Sequence, residues 1–184
     1  MGRWIAFVRA FNAGPRRIVR MDDLRRQFQS LGFHGVATFL ASGNVVFEAP
    51  AGDAKPLERK IEKKLRKALG SEAAVFLRTV AELNEVASFK PFRQSRFGGG
   101  AGLDILFLAE ALDKETKTRV AGLATETDEF RVRGREIYWL RRRKPGTAAF
   151  ATVPLEKTLR RPFTIRGANT VRRLVERYGR GGSR

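Results

Sequence analysis

The sequence predicts an α+β protein in which one order of strands and helices is used twice. Short β-branched and aromatic runs alternate with stretches whose apolar residues recur at helical spacing. Glycine- and proline-rich turns punctuate the chain between them. The order strand, helix, strand, strand, helix, strand, read over residues 1–92, returns over residues 103–178.

The first half opens with Ile5-Ala6-Phe7-Val8, an apolar run suited to a buried central strand, which Asn12-Ala13-Gly14-Pro15 ends with turn chemistry. Met21, Leu24, Phe28 and Leu31 then recur at helical spacing. Asp22 and Asp23 sit where the positive end of the helix dipole favours them, and Gly32 provides the stop. Val36 to Leu40 and Val45 to Phe47 flank Ser42-Gly43-Asn44 and read as a hairpin. His34 falls in the polar turn before it. Leu57, Ile61, Leu65 and Leu69 form the apolar stripe of a second helix. Lys55, Arg59, Lys60, Lys63, Lys64, Arg66 and Lys67 cover its remaining faces, and Gly70 ends it. A strand at Ala74 to Arg78 and a short linking helix at Val80 to Ser88 complete this half.

After Gly98-Gly99-Gly100-Ala101-Gly102, which reads as a hinge, come a strand at Leu103 to Leu108 and a helix at Asp113 to Leu123. A hairpin of Phe130 to Arg133 with Ile137 to Arg141 turns about Gly134-Arg135. Pro154 to Arg160 reads as a short helix, Phe163 to Ile165 as a strand and Asn169 to Tyr178 as a final helix. Phe76-Leu77-Arg78 and Phe163-Thr164-Ile165-Arg166 resemble each other, each standing before a helix. The expected architecture is therefore two tandem ferredoxin-like (βαββαβ) plaits, with antiparallel sheets and helices on one face. Residues 1–92 hold the first plait and its linking helix, 103–178 the second plait and a C-terminal helix, and 179–184 a disordered tail.

Composition excludes several function classes. No stretch approaches the roughly 18 to 20 consecutive apolar residues of a membrane-crossing helix, and the first apolar run meets Arg9 too soon for a signal peptide. With no cysteine there is no disulfide framework, thiolate metal site or cysteine nucleophile, and a cytoplasmic location is the simplest expectation. His34 is the sole histidine, so neither a metal site nor a cofactor is expected. The net charge of +18 is polarised: residues 129–184 carry 16 basic and 4 acidic side chains, whereas residues 71–128 carry 7 and 9. That potential attracts polyanions, although arginine-rich composition alone explains part of it. The glycine run precedes a strand rather than joining a strand to a helix, so it is no phosphate loop. Asp104, Glu110, Asp113 and Glu115 cluster in sequence but read as helix-start and strand-edge acids.

Two polar constellations are candidate anion sites. In the expected plait the end of the first strand lies beside the hairpin between the second and third, which brings Arg9 and Asn12 near Ser42, Gly43 and Asn44. An arginine fork, two amides and an accessible glycine backbone suit a phosphate or carboxylate; pure turn geometry is the competing reading. Thr164, Arg166, Asn169 and Thr170 gather at the start of the last helix, where unpaired N–H groups favour anions, although Asn or Thr there also serves as a plain cap.

A third constellation is the basic hairpin. Arg131, Arg133, Arg135, Arg141, Arg142, Arg143 and Lys144 interleave with Phe130, Tyr138 and Trp139, the ingredients of a single-strand nucleic-acid surface. The competing reading puts Ile137 and Trp139 in the core with solvated arginines around them. The RNA-recognition motif is rejected, because Ser42-Gly43-Asn44-Val45-Val46-Phe47 lacks the leading basic residue and the further stacking aromatics.

Phe7-Val8-Arg9-Ala10-Phe11-Asn12-Ala13-Gly14, Met21-Asp22-Asp23-Leu24, Leu31-Gly32-Phe33 and above all Ala41-Ser42-Gly43-Asn44-Val45-Val46-Phe47 resemble the bacterial domain of unknown function 1697 family. The resemblance runs through Leu123 and the final helix. It implies tandem ferredoxin-like plaits and no established biochemical activity. Against the family's usual Thr-x-Arg-Asn-Trp-Asn-Thr-Val, this chain keeps Thr164, Arg166, Asn169, Thr170 and Val171 but has Gly167 and Ala168, losing an amide and a large aromatic surface. At the first strand's end it has Arg9-Ala10-Phe11-Asn12-Ala13-Gly14 where the family usually has Arg-Gly-Ile-Asn-Val-Gly.

These readings lead to a non-catalytic binding module for an anionic partner, nucleic acid among the candidates. The alternative is an enzyme acting on a small phosphorylated or carboxylated substrate at the Arg9, Asn12, Ser42, Asn44 edge, where the serine lacks a nearby base. A dimeric scaffold is the third reading.

Overall fold

The computed structural model describes residues 1–10, 20–40, 43–70, 72–93, 101–142 and 152–179. Two four-stranded antiparallel sheets and six helices make up the described residues, an α+β architecture. The chain divides into two compact units, Met1–Glu85 with Leu174–Arg184, and Val86–Arg173.

In the first unit β1 (Gly2–Ala10), β2 (His34–Phe39), β3 (Asn44–Ala49) and β4 (Ala73–Thr79) form a sheet in the order β2-β3-β1-β4. The apolar run at residues 5–8 puts β1 in the interior of that sheet, paired with β3 from Gly2↔Ala49 to Phe7↔Asn44 and with β4 from Trp4↔Thr79 to Ala10↔Ala73. Strand alternation sends Trp4, Ala6 and Val8 to one face. There they meet Leu24 and Phe28 of α1 (Met21–Gln29) and Ile61 and Leu65 of α2 (Ala54–Leu69) in one buried cluster. Asp53 caps α2 by accepting the Lys55 N–H at 3.0 Å, and Gly70 ends it in the left-handed conformation, φ 64°.

The hairpin between β2 and β3 differs from the sequence expectation. His34 opens β2, opposite Glu48, instead of lying in the preceding turn. Gly35, at φ 57°, takes up the register shift between His34 and Ala37, so pairing starts earlier than the β-branched run suggests. Gly43 is required where it stands: its φ is 73°, and a Cβ there would lie 2.7 Å from the Val8 carbonyl oxygen. That close approach holds the hairpin to the end of β1, with the Val8 N–H donating to Gly43 O at 2.8 Å.

The linking helix α3 (Val80–Ser88) leads from β4 into the second unit. There β5 (Ala101–Phe107), β6 (Asp128–Arg133), β7 (Glu136–Arg142) and β8 (Thr164–Gly167) form a sheet in the order β6-β7-β5-β8. Leu106, Ile137 and Trp139 of this sheet bury one face with Val120 of α4 (Lys114–Ala121) and Leu155 and Leu159 of α5 (Val153–Leu159). The Asp113 carboxylate caps α4, accepting the Thr116 N–H at 2.7 Å, and this bond holds its pKa below the ordinary value. Asp128, unlike the exposed Asp113, is buried, and it accepts the Trp139 indole N–H at 2.7 Å and the Thr127 hydroxyl at 2.7 Å. A final helix α6 (Ala168–Tyr178) follows β8 directly. Among the described residues no helix is long and apolar enough to cross a membrane.

Candidate functional site

The start of α6 shapes a site-like part of the second unit. Because β8 ends at Gly167 and α6 begins at Ala168, no loop separates strand from helix. The first turn of a helix leaves N–H groups without intrahelical acceptors. Gly167, Ala168, Asn169 and Arg172 here border a cavity of about 730 Å³. Its other walls are Ala87 to Phe92, from the end of α3 onward, and Ala101 to Asp104 of β5. Tyr138 holds the first of these walls in place: its hydroxyl reaches Val86 O at 3.4 Å and its ring lies 5.0 Å from that of Phe89.

The lining is divided in character. Phe89, Pro91, Phe92 and Leu103 supply apolar surface, while Lys90, Asn169 and Arg172 supply cationic and amide groups. Among the described residues Asp104 is the sole carboxylate of the lining, and its oxygen is ion-paired with Arg141. Arg172 donates to the Asn169 amide oxygen, which keeps both side chains at the helix start. Outside the cavity, Arg133 stacks on Phe89 and Arg131 on Phe92, at 4.4 and 5.5 Å from the ring centres.

Of the four residues expected at this helix start, Asn169 alone lines the cavity, while Thr164 and Arg166 bond to each other. Asn169 borders the cavity, but it is the second residue of α6 rather than its cap. Thr164 and Arg166 are buried and do not line the cavity. The Arg166 guanidinium donates at 2.7 Å to the Thr164 hydroxyl and at 2.7 Å to Ile165 O, and burial lowers its pKa to about 10. Thr170 is half-buried and also outside the lining.

At the other candidate edge, the register sets Asn44 opposite Phe7, two residues from Arg9, so Arg9 and Asn44 lie on one face of the first sheet. Asn44 is fully buried and its amide donates to Phe39 O at 3.0 Å, closing the hairpin from within. Its side chain therefore offers no accessible amide to a ligand. Gly43 has the turn role described above, and Asn12 and Ser42 lie outside the described residues.

The basic hairpin of β6 and β7 departs from a stacking surface. Tyr138, Trp139 and Phe130 are at most 3% exposed, so their rings have no solvent face for a base. The alternation of β7 explains this, because both faces of that strand are buried from Ile137 to Leu140. Arg141 pairs with Asp104, Arg142 with Glu129, and Arg131 approaches Glu129 at 4.0 Å. Arg133 is exposed and Arg135 half-buried, and Arg143 and Lys144 lie outside the described residues. Sequence reasoning missed Lys90, Phe89, Phe92, Leu103 and Arg172. The signal was two phenylalanines flanking Lys90-Pro91 in what reads as a linker, where solvated chain has no use for large apolar groups.

Over residues 1–138 the sequence matches the family described as Protein of unknown function (DUF1697). The chain belongs to that family. Among solved structures it is similar to a conserved bacterial protein from Streptococcus pneumoniae, at 22% identity and a TM-score of 0.70. That likeness covers 98% of this chain and 99% of the other, and so extends past the DUF1697 match through α6. No curated protein matches the chain.

Proposed function

We propose that this DUF1697 protein is a non-catalytic binding module for a small anionic ligand with an apolar body, held in the cavity at the start of α6. The observation that carries the reading is the split lining, with Lys90, Arg172 and the first turn of α6 on one side and Phe89, Phe92 and Leu103 on the other. A cavity of about 730 Å³ is of the size that takes a small organic molecule. The cationic groups and helix N–H groups suit a carboxylate or phosphate, and the aromatic wall suits its hydrocarbon part. An acid–base reaction there would rely on Asp104, whose carboxylate is engaged by Arg141. This favours binding over catalysis.

We also read each unit as a ferredoxin-like plait. The strand orders β2-β3-β1-β4 and β6-β7-β5-β8 support this, as does the sequence β1-α1-β2-β3-α2-β4 with its counterpart β5-α4-β6-β7-α5-β8.

A thermal-shift comparison of acetate, inorganic phosphate, benzoate and phenyl phosphate tests the function. A ligand that binds only the folded protein raises Tm, by an amount equivalent to about 2.7 kcal/mol at a hundred times Kd. Benzoate or phenyl phosphate should stabilise more than acetate or phosphate, and Lys90→Ala with Arg172→Ala should abolish the difference. Equal shifts for all four anions, or shifts that survive both substitutions, overturn the proposal.

A further inference from the structure

The first unit carries a second polar feature that the cavity does not explain, the outward face of α2. Of the residues from Ala54 to Leu69, seven are Lys or Arg and two are acidic, Glu58 and Glu62. Both acids turn toward β4. Glu62 accepts the Val75 N–H at 3.0 Å and Glu58 the Leu77 N–H at 2.8 Å. Because β4 is an edge strand, those N–H groups have no neighbouring strand to donate to, and the glutamates cover them. The helix has therefore drawn its negative charge inward and left its solvent side cationic.

Arg59, Lys63 and Lys67 stand at successive i, i+4 positions and are all exposed. None of the three has an ion-pair partner among the described residues. Elsewhere exposed arginines do find carboxylates: Arg25 and Asp22, Arg26 and Asp23, Arg66 and Glu72, Arg119 and Glu115. The rise of a helix sets the three charges about 6 Å apart along one line. We infer that this row docks the phosphodiester backbone of a nucleic-acid duplex, without reading its sequence.

Three observations select that partner. The apolar side of α2 is occupied, since Ile61 and Leu65 are fully buried in the core of the first unit, so the helix has no apolar face to sink into a lipid surface. The exposed row also lacks the aromatic or aliphatic anchor that concentrates affinity in protein interfaces. Single-stranded nucleic acid is held through aromatic stacking platforms, whereas Phe33, the ring that α2 contacts through Lys60, is buried. A regular line of charge with no stacking group matches a continuous phosphate backbone. The inference does not rest on the cavity reading, and either can fail alone.

The test is fluorescence anisotropy of a short labelled DNA duplex, titrated across a range of KCl concentrations. The variant is Arg59→Ala/Lys63→Ala/Lys67→Ala. The control, Arg25→Ala/Arg26→Ala/Arg119→Ala, removes the same number of charges from ion-paired positions. Both sets are exposed, and thermal melts establish that each variant folds. The α2 variant should lose at least about tenfold in affinity at low salt, and its log–log salt slope should flatten by roughly 2.7. The control should change far less. Equal losses in the two variants would reduce the effect to net charge and overturn the inference. So would an α2 variant that binds like the wild type, absence of duplex binding by the wild type, or preference for anionic vesicles over duplex.

Discussion

Arg78 and Arg166 occupy the same position in the two sheets. Arg78 pairs with Ile5 of β1 and Arg166 with Ile105 of β5, each two residues before a helix. Each guanidinium donates at 2.7 Å to the carbonyl of the preceding residue, Leu77 O in one sheet and Ile165 O in the other. Both are buried, at 1% and 8% exposure. A buried guanidinium cannot shed its charge cheaply, so its hydrogen bonds must replace the water it has lost. The short resemblance between Phe76-Leu77-Arg78 and Thr164-Ile165-Arg166 thus marks one structural device used twice.

Removing an acceptor from that device exposes its cost. Thr164→Val keeps the shape of the side chain but deletes the hydroxyl that accepts from Arg166, and should destabilise the protein by about 1 to 3 kcal/mol. Burial lowers the Arg166 pKa to about 10 from its ordinary higher value, so its unfavourable charging is fully present below pH 10 and is relieved only as pH rises above it. The Thr164→Val deficit in urea unfolding should therefore be flat between roughly pH 5 and 9. A neutral substitution would mean that other groups already satisfy the guanidinium.

Two glycines separate backbone strain from steric clash. Gly32 and Gly43 have φ of 80° and 73°, but a Cβ at Gly32 meets nothing within 4 Å whereas one at Gly43 meets Val8 O at 2.7 Å. Gly32→Ala should cost about 1 kcal/mol, the left-handed penalty alone. Gly43→Ala should cost clearly more, because β1 and the hairpin must also part. Equal costs in chemical denaturation would show that the hairpin yields freely.

These positions indicate how far the sequence could be read. Apolar periodicity was enough for α1, α2 and the strands, because burial of Leu24, Phe28, Ile61 and Leu65 against β1 and β3 enforces it. Gly43 and Gly70 were legible as turn and cap because positive φ admits few other residues. The hairpin arginines were not legible in the same way. Their carboxylate partners Asp104 and Glu129 lie on other strands, and only the register of β5, β6 and β7 brings them together. Tyr138 was misread for a related reason: alternation implies one solvated face, and β7 has none between Ile137 and Leu140. The acids of α2 posed the same difficulty, since composition cannot tell a glutamate facing solvent from one bound to the edge of β4.

The cavity itself provides the last test. Ala168 is the first residue of α6 and lines the space, so Ala168→Trp introduces an indole where the proposed ligand's apolar body would rest. A large side chain inserted into a packed core usually costs about 1 to 3 kcal/mol through forced rotamers and backbone shifts. Here an open volume of about 730 Å³ receives it, and covering Phe89, Phe92 and Leu103 removes apolar surface from water. The variant should therefore melt at or above the wild-type temperature while losing stabilisation by benzoate and phenyl phosphate. Exposed Arg172 and Lys90 are left in place, so a ligand held by charge alone would still bind Ala168→Trp. Undiminished stabilisation of a well-folded Ala168→Trp by both compounds would move the ligand out of the cavity.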